Sequence, residues 1–144
     1  MSKVLLNPAR LIEQIVALLA AALCLGVTMI VWLSVSVHQP MWPFPAVYLL
    51  EMPILCGIVA LACIYDVPAA ANFTWIATGA VLAFSVMAAF TVGIFYAPVA
   101  VLLAAVGMIS ARRARRNTLV YAAWAVVAAL AQTSVTYIAS QLLF

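Results

Sequence analysis

The chain has 144 residues, of which 70% are hydrophobic and only 6% are charged, and its formal net charge is +3. A water-soluble domain carries roughly 25% charged residues to cover its surface, so this composition excludes an ordinary soluble protein. A lipid bilayer is the matching solvent if the apolar residues fall in runs of about 20, the number that a helix needs to cross the hydrocarbon core.

The first half of the chain contains two such runs. The first begins at Asn7-Pro8, where asparagine suits the N-cap and proline the first helical position, and it predicts a span over residues 8–37. Residues 38–45 include three prolines, and they predict a loop because each proline removes a backbone donor. A second span is predicted over residues 46–65.

The second half begins with a span predicted over residues 73–90, for which Asn72 is the expected N-cap. The apolar stretch then continues to Ala111, which is too long for a single crossing. We divide it at Gly93, where the local sequence favours a turn, and predict a fourth span over residues 95–111.

A fifth span is predicted over residues 118–143, so the fold class is an all-α integral membrane bundle of five helices. Leaving the long apolar stretch undivided gives a four-helix alternative. Strands of a membrane barrel would alternate apolar and polar residues, which these continuous apolar runs do not.

The basic residues predict the orientation, because lysine and arginine in short loops stay on the cytoplasmic side. A bundle of five helices with a cytoplasmic N-terminus places all six there: Lys3, Arg10, Arg112, Arg113, Arg115 and Arg116. The last four form a cytoplasmic basic cluster between the fourth and fifth spans. Four helices would put this cluster and the N-terminus on opposite sides, which favours five.

Glu51 is the most informative polar residue, because a carboxylate inside a span is costly and usually has a partner or a function. Counting about 1.5 Å per residue places four polar residues at its depth: Ser85 of the third span and Gln132, Thr133 and Thr136 of the fifth. With Tyr137, the three fifth-span residues form one stripe, which we expect to face protein. Two interpretations stay open. The first is a pocket in which Glu51 binds a cation or exchanges a proton. The second is structural, either a hydrogen-bond network between the second and fifth helices or a carboxylate that reaches the lipid headgroups.

The other polar and sulfur residues predict no chemistry. His38 stands alone at the end of the first span, so no metal site is predicted there. Glu13 is expected at the membrane surface, paired with Arg10. The three cysteines form no C-x-x-C pair and are interpreted as small buried hydrophobic residues: Cys24, Cys56 and Cys63.

No catalytic pattern is visible in the sequence, whether a Walker loop, a Gly-rich dinucleotide turn, paired catalytic carboxylates or a Ser-His-Asp set. We therefore predict that the protein is not an enzyme and uses no cofactor or metal. Its expected partners are the lipid bilayer and other membrane proteins or further copies of itself, and not nucleic acid.

One segment resembles known proteins. Residues 90–98 read Phe-Thr-Val-Gly-Ile-Phe-Tyr-Ala-Pro and precede a further apolar run and the arginine cluster. This is similar to a segment F-S-I-G-x-F-Y-x-P in small bacterial multi-span membrane proteins of unassigned function, and it differs from that segment at Thr91 and Val92. The resemblance implies a bacterial inner-membrane protein and a turn near Gly93, but no activity and no site residues.

Two hypotheses of function follow. The scarcity of residues outside the predicted spans and of catalytic chemistry favours a non-catalytic accessory subunit that packs against larger membrane proteins, for example in an energy-transducing complex. The alternative is a small oligomeric transporter or channel with a polar site around Glu51.

Overall fold

The computed structural model describes residues 8–37, 44–89, 91–114 and 118–143. They form five α-helices and no strand: α1 (Pro8–Ser36), α2 (Phe44–Ile64), α3 (Ala70–Met87), α4 (Ala97–Arg113) and α5 (Thr118–Leu143). A 3-10 helix over Gly93–Tyr96 leads directly into α4. Five segments are long and apolar enough to cross a membrane, the fourth being this 3-10 helix together with α4. The chain is therefore an all-α, multi-pass membrane protein, and the prediction of five spans is confirmed.

The long apolar stretch is interrupted where the sequence predicts a turn. After α3 ends, the backbone N–H groups of Thr91 and Gly93 donate to the Ala88 carbonyl oxygen at 2.9 and 2.7 Å. A Cβ atom on Gly93 would lie 2.5 Å from the Ser85 carbonyl oxygen. The turn requires glycine at this position because no side chain fits against the end of α3.

The start of α3 differs from the prediction. The helix begins at Ala70, and Ala69 rather than Asn72 occupies its N-cap position, without a side-chain cap. The turn from α2 is short: Asp66 adopts a left-handed φ of 54°, and the Ala70 N–H donates to the Val67 carbonyl at 2.9 Å. This tight connection leaves Asn72 inside the helix, so the predicted cap is wrong.

Helix α3 is the centre of the bundle. It packs against α2, α4 and α5, while α1 packs against α2 and α4. Helix α5 packs mainly against α3, and only 11% of its membrane-spanning window is buried, compared with 56% for α3. Helix α5 thus lies at the side of a core formed by α1 to α4.

The α3–α5 contact is close because small residues meet there. Gly79 of α3 lies against Ala125 of α5, so near that a Cβ atom on Gly79 would overlap the Ala125 carbonyl oxygen. Helices in lipid gain little hydrophobic energy by meeting, and they associate through close backbone packing of this kind. Gly79 therefore sets how near α5 approaches the core.

Candidate functional site

Glu51 and Gln132 lie together near one end of the bundle. The Gln132 Nε2 atom on α5 donates a hydrogen bond of 3.1 Å to the Glu51 Oε2 atom on α2. Gln132 is buried and Glu51 is half-buried. The structure thus brings together two of the residues that the sequence places at one depth. Their hydrogen bond ties the peripheral helix α5 to α2, with which it shares no extensive packing.

The other predicted members of this site bond within their own helices. Each hydroxyl donates at 2.8 Å to a carbonyl four residues earlier: Ser85 to Val81, Thr133 to Ala129 and Thr136 to Gln132. This back-bonding satisfies a hydroxyl group without a partner on another helix. Among the described residues, no hydrogen bond joins Ser85, Thr133 or Thr136 to Glu51.

The predicted polar stripe of α5 faces protein only in part. Gln132 is buried and Thr136 is half-buried, but Thr133 and Tyr137 are exposed, Tyr137 by 65%. Because α5 packs mainly against α3, its buried face is narrow, and a residue turned by about 100° already lies outside it. Within this chain, therefore, the prediction that the stripe faces protein holds for Gln132 and Thr136 only.

A cavity of about 340 Å³ lies between α1, α2, α3 and α5. Tyr48 and Leu49 of α2 and Thr136 of α5 form part of its wall, but neither Glu51 nor Gln132 is among the described residues that line it. Most of the remaining wall is apolar and includes Phe84. The Glu51–Gln132 pair and this cavity are therefore separate features of the bundle.

The opposite end of the bundle, which we call the basic end, holds a buried carboxylate that the sequence does not predict. Glu13 on α1 is 1% exposed, and it accepts hydrogen bonds from the Ser110 hydroxyl and, at 3.7 Å, from the Cys63 thiol. Its Oε2 atom lies 3.2 Å from the Arg113 Nε atom, an ion pair without the alignment of a hydrogen bond. The prediction that Glu13 is a surface residue paired with Arg10 is wrong, because α4 brings Arg113 and Ser110 to it.

The ionic network extends from Arg113 to the turn between α2 and α3. The Arg113 Nη1 atom donates to the Asp66 Oδ1 atom at 2.6 Å, and the Arg10 Nη1 atom lies 3.7 Å from Asp66 Oδ2. Two arginines and two carboxylates therefore join α1, the α2–α3 turn and α4. A buried charge is strongly destabilising when its partner is absent, so the network ties these three elements together.

The predicted basic cluster does not act as one unit in the described part of the chain. Arg113 points into the ionic network, with its side chain 26% exposed, whereas Arg112 is exposed. Arg115 and Arg116 lie outside the described residues. The sequence alone does not predict that these neighbouring arginines have different environments, because the difference depends on which side of α4 packs against Glu13.

The sulfur residues are placed as the sequence predicts: Cys24, Cys56 and Cys63 are buried free thiols. Within the described ranges, no three histidine, cysteine, aspartate or glutamate side chains gather in a group that could hold a metal ion. His38 lies outside those ranges.

No family model matches the chain, and no curated protein or solved structure is significantly similar to it. The resemblance of residues 90–98 to small bacterial membrane proteins therefore stays a prediction. The features of this bundle that bear on function are its two carboxylate sites and its exposed helix surfaces.

Proposed function

We propose that this protein is a non-catalytic accessory subunit that packs against larger membrane proteins in a bacterial inner membrane, for example in an energy-transducing complex. The observation that carries the proposal is the exposed face of α5, the helix with the least burial in the bundle. Both glutamates within the helices have partners in the chain, Arg113 for Glu13 and Gln132 for Glu51. The chain thus supplies a folded surface and little reactive chemistry.

The composition of that face supports a protein partner. Thr133, Ser134 and Tyr137 are exposed among large apolar side chains such as Leu130 and Val126. Small and hydroxyl-bearing residues are enriched where transmembrane helices pack together, since they permit close approach and hydrogen bonds between helices. A partner helix seated on the Thr133–Tyr137 face would bury these polar groups.

The orientation of the subunit follows from its basic end. Arg10, Arg112 and Arg113 lie at that end of the described bundle. Positively charged residues next to spans are retained in the cytoplasm. We therefore infer that the basic end and the N-terminus are cytoplasmic.

The test is affinity purification of the tagged protein from its native membrane in a mild detergent, followed by mass spectrometry. We expect larger membrane proteins to co-purify in fixed stoichiometry. The variant Ser134→Trp, which places a large ring on the proposed interface, should lose them. The matched control is Leu19→Trp on the exposed face of α1, where Leu19 is 56% exposed, and it should retain them. Recovery of the protein alone, or only with itself, would refute the subunit proposal.

A second candidate, a small oligomeric transporter or channel, is favoured by one observation: Glu51, a carboxylate within a membrane span, is bonded among the described residues to a neutral amide and to no cation. In that case the purified protein forms a defined oligomer, and liposomes containing it show a proton or cation flux that Glu51→Gln abolishes. Equal flux from both proteins, or none from either, would exclude this candidate.

A further inference from the structure

We propose that Cys24 of α1 and Cys56 of α2 form a binding site for a soft monovalent metal ion, Cu(I), inside the bundle. This site requires neither a protein partner on α5 nor Glu51, so it is independent of both functions considered above. The two cysteines, which the sequence suggests are only small buried hydrophobic residues, thereby acquire a chemical role.

The two thiols meet where α1 packs against α2. Cys24 and Cys56 lie on different helices, yet their side chains are close enough for a hydrogen bond between the two thiols. Both side chains are fully buried, and neither forms a disulfide. Two sulfur atoms are thus held side by side in the core, where both can act as ligands.

Hydroxyl groups lie next to this pair of thiols. Thr28, one turn after Cys24 on α1, is buried and lies within hydrogen-bonding reach of the Cys24 thiol. The Thr28 hydroxyl also shares a hydrogen bond of 2.8 Å with the hydroxyl of Tyr96. Tyr96 is fully buried, and its hydroxyl is near enough to both thiols to interact with them electrostatically. These polar groups lower the cost of placing an ion in an otherwise apolar core.

A third sulfur atom lies on the same side of α2. Met52 is four residues before Cys56, and both side chains are fully buried. Residues four apart on a helix share a face, so the Met52 thioether is on the side of α2 that carries the Cys56 thiol. The methionine side chain is flexible and adapts to irregular gaps, which suits it as a third and weaker ligand of the site.

The ligand set selects Cu(I) among the common metal ions. Thiolate and thioether sulfur atoms are soft ligands that favour Cu(I), whereas Ca²⁺ and Mg²⁺ bind about six or more oxygen ligands. Zinc sites use about three or four side chains drawn from cysteine, histidine and the carboxylates. The described residues contain no such group. Two thiols and a thioether therefore suit Cu(I) better than zinc.

Charge also favours a monovalent ion. A thiol must lose its proton to become a strong metal ligand. A Cu(I) ion that replaces the proton of one thiol leaves the net charge of the site unchanged, and the proton passes to water. The other cysteine and Met52 then bind as neutral sulfur ligands. A site whose charge does not change avoids the large cost of burying an uncompensated charge.

The experiment measures Cu(I) binding by the purified full chain in detergent. The chain is dialysed without oxygen and with a reductant against Cu(I) buffered by the chelator bathocuproine disulfonate, and bound copper is measured by atomic absorption. Protein-free micelles serve as the blank. We expect one Cu(I) per chain and no binding of Zn²⁺ at the same free concentration.

Serine variants locate the site. Cys24→Ser and Cys56→Ser nearly conserve the size of the side chain and remove its soft ligand. Loss of a group that only supports a metal ligand weakens binding about 10–100-fold, so loss of a ligand should weaken Cu(I) binding about a hundredfold or more. The matched control is Cys63→Ser, which also removes a buried thiol, but one that contacts Glu13. It should bind Cu(I) like the wild type.

Two further measurements test the ligands. Met52→Leu nearly conserves volume and should weaken binding by a smaller factor, about tenfold, as expected for the weaker ligand. X-ray absorption at the copper edge of the loaded wild type should show sulfur neighbours only, and this result does not depend on how well any variant folds.

The proposal is overturned if the wild type retains no copper against the chelator, or if nitrogen or oxygen atoms surround the bound copper. It is also overturned if Cys63→Ser loses as much affinity as Cys24→Ser, or if Zn²⁺ binds as tightly as Cu(I). Co-purification of larger membrane proteins and ion flux in liposomes are separate measurements, so the metal site and the proposed functions can fail independently.

Discussion

The two glutamates inside the helices of this bundle have different partners. Glu13 is almost fully buried and lies 3.2 Å from the Arg113 guanidinium, which also binds Asp66. Glu51 is half-buried and accepts a hydrogen bond from the Gln132 amide. In the first site an arginine compensates the negative charge of the glutamate, whereas in the second site a neutral amide only donates a hydrogen bond to it.

The two sites also differ in the helices that build them. The Glu13 site joins α1, α4 and the α2–α3 turn, all within the core. The Glu51 site depends on α5, which packs mainly on α3. The neighbouring helices, more than the residue type, thus decide whether a glutamate in a span is paired with an arginine or with a neutral amide.

The largest effect is expected from Glu13→Ala. Removing the carboxylate takes the buried counter-charge from the Arg113 guanidinium, which then keeps Asp66 as its partner. Breaking a fully buried pair costs about 3–5 kcal/mol, and we expect a loss toward the lower end of this range because the Arg113 side chain is 26% exposed. Reversible unfolding in mixed detergent micelles measures the change. The double variant Glu13→Leu/Arg113→Met should recover part of the loss, because it leaves no unpaired charge inside the bundle, while Asp66 keeps Arg10 at 3.7 Å. If the single variant is as stable as the wild type, the ionic network does not stabilise the fold.

Gly79→Val should disrupt the Glu51 site and leave the Glu13 site intact. Its Cβ atom would overlap the Ala125 carbonyl oxygen, so α5 must move away, at a cost of about 1–3 kcal/mol or more. The Glu51–Gln132 bond should then be lost while the Glu13 network, which α5 does not build, is retained. In this background, Glu51→Gln should cause no further loss of stability in the same unfolding assay.

The matched control for that variant is Gly26→Val, because a Cβ atom on Gly26 meets nothing within 4 Å. We expect it to unfold like the wild type. Equal destabilisation by both glycine variants would mean that the close α3–α5 contact is not the cause.

Glu51→Gln alone should change the stability less than Glu13→Ala. A hydrogen bond between membrane helices contributes about 0.6 kcal/mol on average and at most about 1.7, and no charged partner is left behind. The variant Gln132→Leu removes the donor of this bond, whereas the amide oxygen of Glu51→Gln can still accept it, so Gln132→Leu should have the larger effect of the two. A double-mutant cycle measures their coupling, and a loss as large as that of Glu13→Ala would contradict the contrast between the two sites.

The smallest effect is expected from Arg10→Ala. The Arg10–Asp66 pair is 3.7 Å apart, and its side chains are 42% and 41% exposed. Exposed ion pairs contribute about 0.2–1 kcal/mol, and salt at about 1 M screens them because the Debye length falls to about 3 Å. Unfolding experiments should show that Arg10→Ala lowers the stability at low salt and has no measurable effect on it at high salt. An effect of salt on Arg112→Ala as large as that on Arg10→Ala would argue against a specific pair.

Several features of the bundle follow from local sequence alone. Apolar runs of span length and the breaks between them predict five helices, and the predicted 118–143 span coincides with α5. The turn at Gly93 is also predicted, since the apolar stretch exceeds one crossing. Even the meeting of Glu51 and Gln132 follows in part from counting the rise per residue, because depth in a membrane is set along the chain.

The depth of a residue in the membrane does not determine which residues lie beside it on other helices. The sequence therefore did not predict the lateral contacts of Glu13 or the exposed face of α5. Glu13 meets Ser110 and Arg113, which are distant in sequence, because α1 packs against α4. Thr133 and Tyr137 are exposed because α5 packs mainly against α3 and only slightly against the other helices. Both outcomes depend on the order of the helices around the bundle.

The sequence by itself determined the number of helices, their approximate bounds and the depth of each polar residue, because hydrophobic length and helical rise are properties of consecutive residues. Only the tertiary structure decided that Glu13 is neutralised by Arg113, that Gln132 alone of the predicted site residues bonds to Glu51 in the described bundle, and that α5 lies at the side of the core. The physical reason is that lipid solvates the apolar surfaces of all five helices about equally well, so hydrophobicity does not select which helices pack together. Their arrangement is then selected by close contacts, such as Gly79 against Ala125, and by charged groups that must find one another.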